Sequence, residues 1–142
     1  MPKILIVDDL ATDRRLAGGL LEKDIELSVE YAKNGAEALE LIGKQLPDLV
    51  LTDLVMPEMT GLQLVEAVRR QYAQVPVILM TSAGSEEIAA EALQKGAASY
   101  VPKRLLSQYL LETVHRLLAV SGQQRNRQRL LGCMASTDCS FH

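Results

Sequence analysis

Several apolar runs in this chain end on a side chain that can do chemistry. Asp8-Asp9 follow residues 4–7, Asp53 follows residues 49–52, and Thr81-Ser82 follow residues 75–80. Lys103 comes two residues after the short run 99–101. A carboxylate at the end of such a run is costly to bury alone. Three carboxylates within a few ångströms repel one another and tend to protonate unless a cation intervenes. Oxygen-only donors of this kind suit a hard cation that keeps several waters, which means Mg2+, with Mn2+ as a substitute. A cation site alone needs neither Lys103 nor the Thr81 hydroxyl. A phosphoryl group carried on a carboxylate needs metal, ammonium and hydroxyl together, each on a different oxygen, because its transfer is mostly positioning and charge neutralisation. Aspartate can act as the nucleophile and form an acyl phosphate. The chain has no Gly-x-x-x-x-Gly-Lys-Ser/Thr loop, so no nucleotide site of that class is expected.

The elements that must position these residues alternate between short apolar runs and amphipathic stretches of helical length. Strands are expected at residues 4–7, 27–31, 49–52, 75–80 and 99–101. The second alternates apolar and polar residues, as a half-exposed strand near a sheet edge does. Helices are expected over residues 11–23 (apolar at Leu16, Leu20 and Leu21), after Asn34-Gly35 (Ala36, Leu39, Leu41 and Ile42 inward), and over 61–72 (Leu62, Leu64, Val65 and Val68 inward). A fourth is expected between a Ser85 cap and Gly96, and a fifth over 105–120. Five strands, each followed by a helix, require parallel pairing with right-handed crossovers. The fold class expected is therefore α/β: a flavodoxin-like, doubly wound, five-stranded parallel sheet of order 2-1-3-4-5 with helices on both faces. Ligands in such sheets lie beyond the carboxyl ends of the strands, where strand order reverses. Strands one, three, four and five are neighbours in that order, so their polar ends converge on one rim.

The bulk properties exclude other classes. The chain has 142 residues, the usual size of one domain, and a net charge of −3. Neither a nucleic-acid surface nor binding to anionic lipid fits that charge, and base-stacking platforms do not fit a chain without Trp. No apolar stretch reaches membrane-spanning length. The two cysteines, Cys133 and Cys139, lie in the last ten residues and form neither a disulfide scaffold nor a zinc motif. A cytoplasmic location is the expectation.

The ordered set Ile4-Leu-Ile-Val-Asp-Asp9, Thr52-Asp53-Leu-Val-Met-Pro57 with Gly61, Met80-Thr-Ser82 and Gly96-Ala-Ala-Ser-Tyr-Val-Pro-Lys103 resembles the receiver domain of two-component response regulators. The resemblance runs in register from about residue 3 to about residue 120. It implies a signalling module in which Asp53 is the phosphoacceptor, taking a phosphoryl group from a sensor histidine kinase or phosphotransfer protein. It implies Mg2+ held by Asp8, Asp9, Asp53 and the backbone carbonyl of Val55, with Lys103 on the phosphoryl oxygens. Thr81 then swings toward the phosphoryl group and Tyr100 moves inward as the paired aromatic switch. Such a domain catalyses only its own phosphorylation and dephosphorylation, so it is not an enzyme in the ordinary sense. The surface of the fourth helix, fifth strand and fifth helix is a candidate for homodimerisation.

Two features depart from the usual receiver pattern. Proline ordinarily follows the lysine and here precedes it, in Val101-Pro102-Lys103-Arg104. A trans peptide is expected after Lys103, because only X–Pro bonds make the cis form cheap. Val55 and Ala83, each two residues after a site residue, are apolar. Taken singly, Asp8 and Asp9 also fit a helix cap, Thr81-Ser82 a turn, and Lys103 and His115 a solvated surface. Two other readings stay open. A phosphorylation-independent docking scaffold would normally lack one of the five site residues, and none is missing. An aspartate-nucleophile phosphatase would carry a second carboxylate where Val55 stands. Domain boundaries are expected at residues 1–120 for the receiver and 121–142 for a linker or tail leading toward an output domain. Gly122 is expected to end or interrupt the last helix. The alternation at Cys139-Ser-Phe-His142 reads as a starting strand.

Overall fold

The computed structural model describes residues 1–82 and 86–135, with side chains described as far as residue 120. Five strands and five helices alternate: β1 (Lys3–Val7), α1 (Ala11–Glu22), β2 (Ser28–Ala32), α2 (Gly35–Lys44), β3 (Leu49–Asp53), α3 (Gly61–Gln71), β4 (Val77–Thr81), α4 (Glu86–Gln94), β5 (Ser99–Pro102) and α5 (Leu106–Ala135). All pairings are parallel, in the order β2-β1-β3-β4-β5. This is the expected flavodoxin-like sheet, with β2 on one edge and β5 on the other.

The strands alternate between two cores. Leu5, Val7, Val50, Val77 and Leu79 pack with Ala38, Ile42, Leu64, Val65, Val68 and Ala92 of α2, α3 and α4. Ile4, Ile6, Leu49, Leu51, Ile78 and Met80 pack on the opposite face with Ala17 and Leu21 of α1 and Leu106, Leu110 and Val114 of α5. Every residue of β3 and β4 is buried, as strands covered on both faces require.

Helix faces were legible to within one residue rather than fully. In α1 the buried residues are Ala17, Gly18 and Leu21, while Leu16 is 54% exposed, so the stripe expected through Leu16 is displaced. The Tyr31 ring of β2 lies across Gly18, where a Cβ would collide with its hydroxyl, while Ala17 and Leu21 carry the face that α1 packs into the core. In α2 the inward residues are Gly35, Ala38 and Ile42, with Leu39 and Leu41 partly buried, and Ala36 is exposed. Asn34 caps α2 by accepting from the Glu37 amide at 2.7 Å. Gly96, at φ 119°, ends α4: the Ala97 amide donates to the Ala92 carbonyl at 3.0 Å and the Gly96 amide to Leu93 at 3.2 Å, a Schellman closure.

Gly122 neither ends nor interrupts the last helix, which runs from Leu106 through Ala135. One interior glycine weakens a helix by only about 1 kcal/mol relative to alanine, and the residues after it (Gln123, Gln124, Arg125, Arg127) are good helix formers. The expected Ser85 cap, Ala83 and the expected strand at Cys139 lie outside the described residues. Among the described residues no helix is long and apolar enough to cross a membrane.

Candidate functional site

Strand register brings the polar ends to one rim. Val7 pairs with Thr52 and Asp53 with Met80, which sets Asp8 beside Asp53 across adjacent strands. Thr81 pairs with Pro102, so Thr81 and Lys103 close the far side of the same rim. Asp8, Asp9 and Asp53 each turn an oxygen into one cluster, with these atoms within 4.8 Å of one another. Asp8 and Asp53 are 0% and 4% exposed. An all-carboxylate donor set of this size fits a hard divalent cation such as Mg2+ and offers nothing to a soft one.

The Asp53 side is fixed by backbone packing. The Leu54 amide donates to the Met80 carbonyl at 3.1 Å and its side chain is buried. The next turn folds tightly: the Met59 amide donates to the Pro57 carbonyl at 2.8 Å across Glu58, which has φ 67°. A one-residue turn of this hand is uncommon and strained outside glycine. Thr60 and Gln63 form a reciprocal capping box that starts α3. Gly61 lies directly over the Asp53 backbone, where a Cβ would come within 2.3 Å of the Asp53 carbonyl oxygen and 2.8 Å of Leu54 Cα. The Val55 side chain points outward at 61% exposure, while its backbone amide acts to lower the Asp53 pKa.

The Lys103 side is held differently. Pro102 is extended (φ −60°, ψ 138°) and leads into a 3-10 turn over Lys103–Leu105, with no cis peptide bond among the described residues, as expected. The Lys103 ammonium reaches Asp53 Oδ1 at 3.3 Å, Asp8 Oδ2 at 3.4 Å and Asp13 Oδ2 at 2.6 Å. Asp8 is also tied down locally: its Oδ1 accepts from the Leu10 amide at 3.0 Å, and its carbonyl accepts from Arg14 at 2.7 Å.

Burial is the main force on these charges. It raises the Asp8 pKa from 3.8 to about 6, helped by the charge of Asp53 and opposed by the Leu10 amide and Lys103. Burial likewise raises Asp53, against the opposing pull of Lys103 and the Val55 amide. Burial alone would lower Lys103, but its bond to Asp13 and the charges of Asp53 and Asp8 outweigh that and lift it above the ordinary lysine range. A site that raises carboxylates while one ammonium stands among them is short of positive charge, the condition under which a cation binds.

The structure thus brings together Asp8, Asp9, Asp53 and Lys103, with Thr81 buried at the end of the neighbouring strand. Tyr100 stays outside, 39% exposed on the edge strand β5. His115 is a surface residue whose Nε2 lies 2.8 Å from Asp24. Asp13 was not foreseen. Its only signal in the sequence is a position one helical turn after Asp9, which reads as an acidic residue favouring a helix amino end.

The fold and rim define a class, a doubly wound sheet with an acidic pocket at its strand ends. Residues 4–115 match the model of the response regulator receiver domain, and the chain belongs to that family. It is 34% identical over 116 residues to the chemotaxis protein CheY of Bacillus subtilis, covering 82% of this chain and 97% of that protein. It is 31% identical over 121 residues to the regulatory protein LuxO of Vibrio cholerae, covering 85% of this chain and 26% of LuxO. Among solved structures, the receiver domain of NtrX from Brucella abortus superposes with a TM-score of 0.77 at 29% identity, covering 82% of this chain and 98% of that one. The chain is a receiver domain of two-component signalling.

Proposed function

We propose that this domain is switched by Mg2+-dependent transfer of a phosphoryl group from a histidine kinase or phosphotransfer protein to Asp53. The observation that carries this reading is the convergence of the buried Asp53 carboxylate with Asp8, Asp9 and the Lys103 ammonium at one rim. Asp8, Asp9, Asp53 and the Val55 carbonyl would hold the metal, which supplies positive charge for the attacking carboxylate and the phosphoryl oxygens. Asp53 is the nucleophile, held rigid by β3 and by Gly61 packed on its backbone. Lys103 neutralises charge on the transferring group, and Thr81 donates its hydroxyl to a third oxygen. Loss of the carboxylate charge and gain of a phosphoryl dianion is the local change that drives Thr81 and the outward Tyr100 to a second arrangement.

Tyr100 of β5, Leu93 of α4 and Tyr109 of α5 are each exposed, and we assign the surface of these three elements to the read-out and to homodimerisation. The receiver occupies residues 1–120 in this reading, in the cytoplasm. The helix beyond residue 120 leads toward an output domain, as the extra length of LuxO suggests. A phosphatase acting on external esters is disfavoured, since the position two residues after Asp53 is the apolar, outward Val55. Intact-mass measurement after incubation with acetyl phosphate and Mg2+ tests the proposal. A base-labile adduct is expected that needs the metal and is absent from Asp53→Asn. An unmodified wild-type protein would favour a phosphorylation-independent scaffold, and continuous turnover of phosphate esters would favour the phosphatase.

A further inference from the structure

An ammonium has three N–H donors, and among the described residues Lys103 has three carboxylate partners: Asp53 at 3.3 Å, Asp8 at 3.4 Å and Asp13 at 2.6 Å. The shortest contact goes to the residue outside the acidic trio. Asp8, Asp9 and Asp53 converge on a common point, whereas Asp13 approaches Lys103 from the first turn of α1. A cation among the trio would compensate Asp8 and Asp53 directly and leave Lys103 as the counter-charge of Asp13. The pair is neither deeply buried nor free in solvent, with side chains 21% and 30% exposed. It is strong enough to hold the long lysine side chain in one place, yet weak enough to be exchanged.

We propose that Asp13 is a positioning residue that holds Lys103 in the resting protein and competes with the phosphoryl group for its ammonium. The proposal rests on the reading of Asp53 as the phosphoacceptor. A phosphoryl group arriving on Asp53 brings oxygens that need the same N–H donors, so Lys103 must give up part of its bond to Asp13 before it can neutralise them. Asp13 therefore sets a threshold for phosphorylation. Pro102 reinforces its role: the trans 3-10 turn at Lys103–Leu105 fixes the backbone, while the position of the ammonium is left to its ion pairs.

The test combines two measurements on the full chain. In the first, the initial rate of labelling by acetyl phosphate with Mg2+ is followed by intact mass. Asp13→Asn should raise it about fivefold, the scale of one partly exposed ion pair, and Asp13→Glu should return it toward wild type. Lys103→Met should lower the rate about a hundredfold, as loss of a charge-stabilising donor does, and Asp13→Asn should then add nothing. An unchanged or slower rate in Asp13→Asn overturns the proposal. So does the same acceleration in the Lys103→Met background, which would mark a general field effect.

In the second measurement, the 15N-ammonium signal of Lys103, assigned by its loss in Lys103→Met, is recorded on unphosphorylated protein. Ion pairing should make it visible in wild type and in Asp53→Asn, and exchange should erase it in Asp13→Asn. Its persistence in Asp13→Asn overturns the holding contact. Failure of the phosphoacceptor reading looks different: wild type takes no label, or Asp53→Asn takes it equally, whatever the ammonium signal does. That result overturns the competition while leaving the Asp13 contact separately decided.

Discussion

The two loops that build the rim reach it by different means. The loop after β3 is fixed by backbone: Gly61 packed on Asp53, a capping box at Thr60 and Gln63, a tight turn at Glu58, and buried Leu54 and Met56 beneath. The loop after β5 is short, and the place of its ammonium is set by charge, through Asp8, Asp13 and Asp53. Backbone packing does not respond to protons, salt or metal, whereas an ion-pair network responds to all three. The Asp53 carboxylate is thus held still while the Lys103 ammonium is free to change partners. This division suits the proposed switch, in which Asp53 would stay in place while its modification is registered by the charges around it.

The sharpest way to break the comparison is to disturb the rigid side. Gly61→Ala forces a methyl against backbone atoms that cannot rotate away, so a loss of about 3 kcal/mol is expected in urea unfolding, together with impaired labelling of Asp53. If the loss is below about 1 kcal/mol, the loop after β3 is more compliant than its packing implies.

The charged side should show itself in the pH dependence of stability. The Asp8 pKa is raised from 3.8 to about 6, so the folded state binds the proton more tightly than the unfolded state. The stability this contributes is fully present below the unfolded value of 3.8 and is lost as pH rises through about 6. Asp8→Asn, which mimics the protonated group, should therefore exceed wild type by on the order of 2 kcal/mol at pH 7 without metal. The gap should close toward pH 4, and Mg2+ should narrow it at pH 7. Melting temperatures of both proteins across that range, with Mg2+ or EDTA, check the sign. A gap that widens toward low pH would contradict the assigned direction.

The smallest effect is expected at Glu58, the one non-glycine with positive φ among the described residues. Glu58→Gly relieves a strained turn while adding freedom to the unfolded chain, so stability should change by less than about 1 kcal/mol. A large loss on calorimetry would show that the Glu58 side chain contributes more to that loop than its exposed position indicates.

Much of this architecture was legible before any coordinates. Continuous apolar runs at residues 49–52 and 75–80 announce strands covered on both faces, and β3 and β4 are buried along their whole length. The half-polar run at 27–31 announces an edge strand, and β2 is one. The helix faces were less readable: α1 turns Ala17 and Gly18 inward, with the Tyr31 ring of another element packed against Gly18, a contact that local periodicity does not show. Gly122 misled for a related reason: glycine is a weak stop signal unless the chain takes a left-handed turn there, as it does at Gly96 and does not at Gly122.

The sequence by itself determined the period of each element, the parallel sheet those periods require, and the acids, hydroxyl and lysine that close the strands. It could do so because side-chain periodicity and strand-end chemistry are local properties of the chain. Only the tertiary structure decided how far the carboxylate pKa values rise and which carboxylate holds Lys103 most closely. Desolvation and Coulomb energy depend on distances between residues far apart in sequence: Lys103 and Asp13 are 90 positions apart and meet at 2.6 Å.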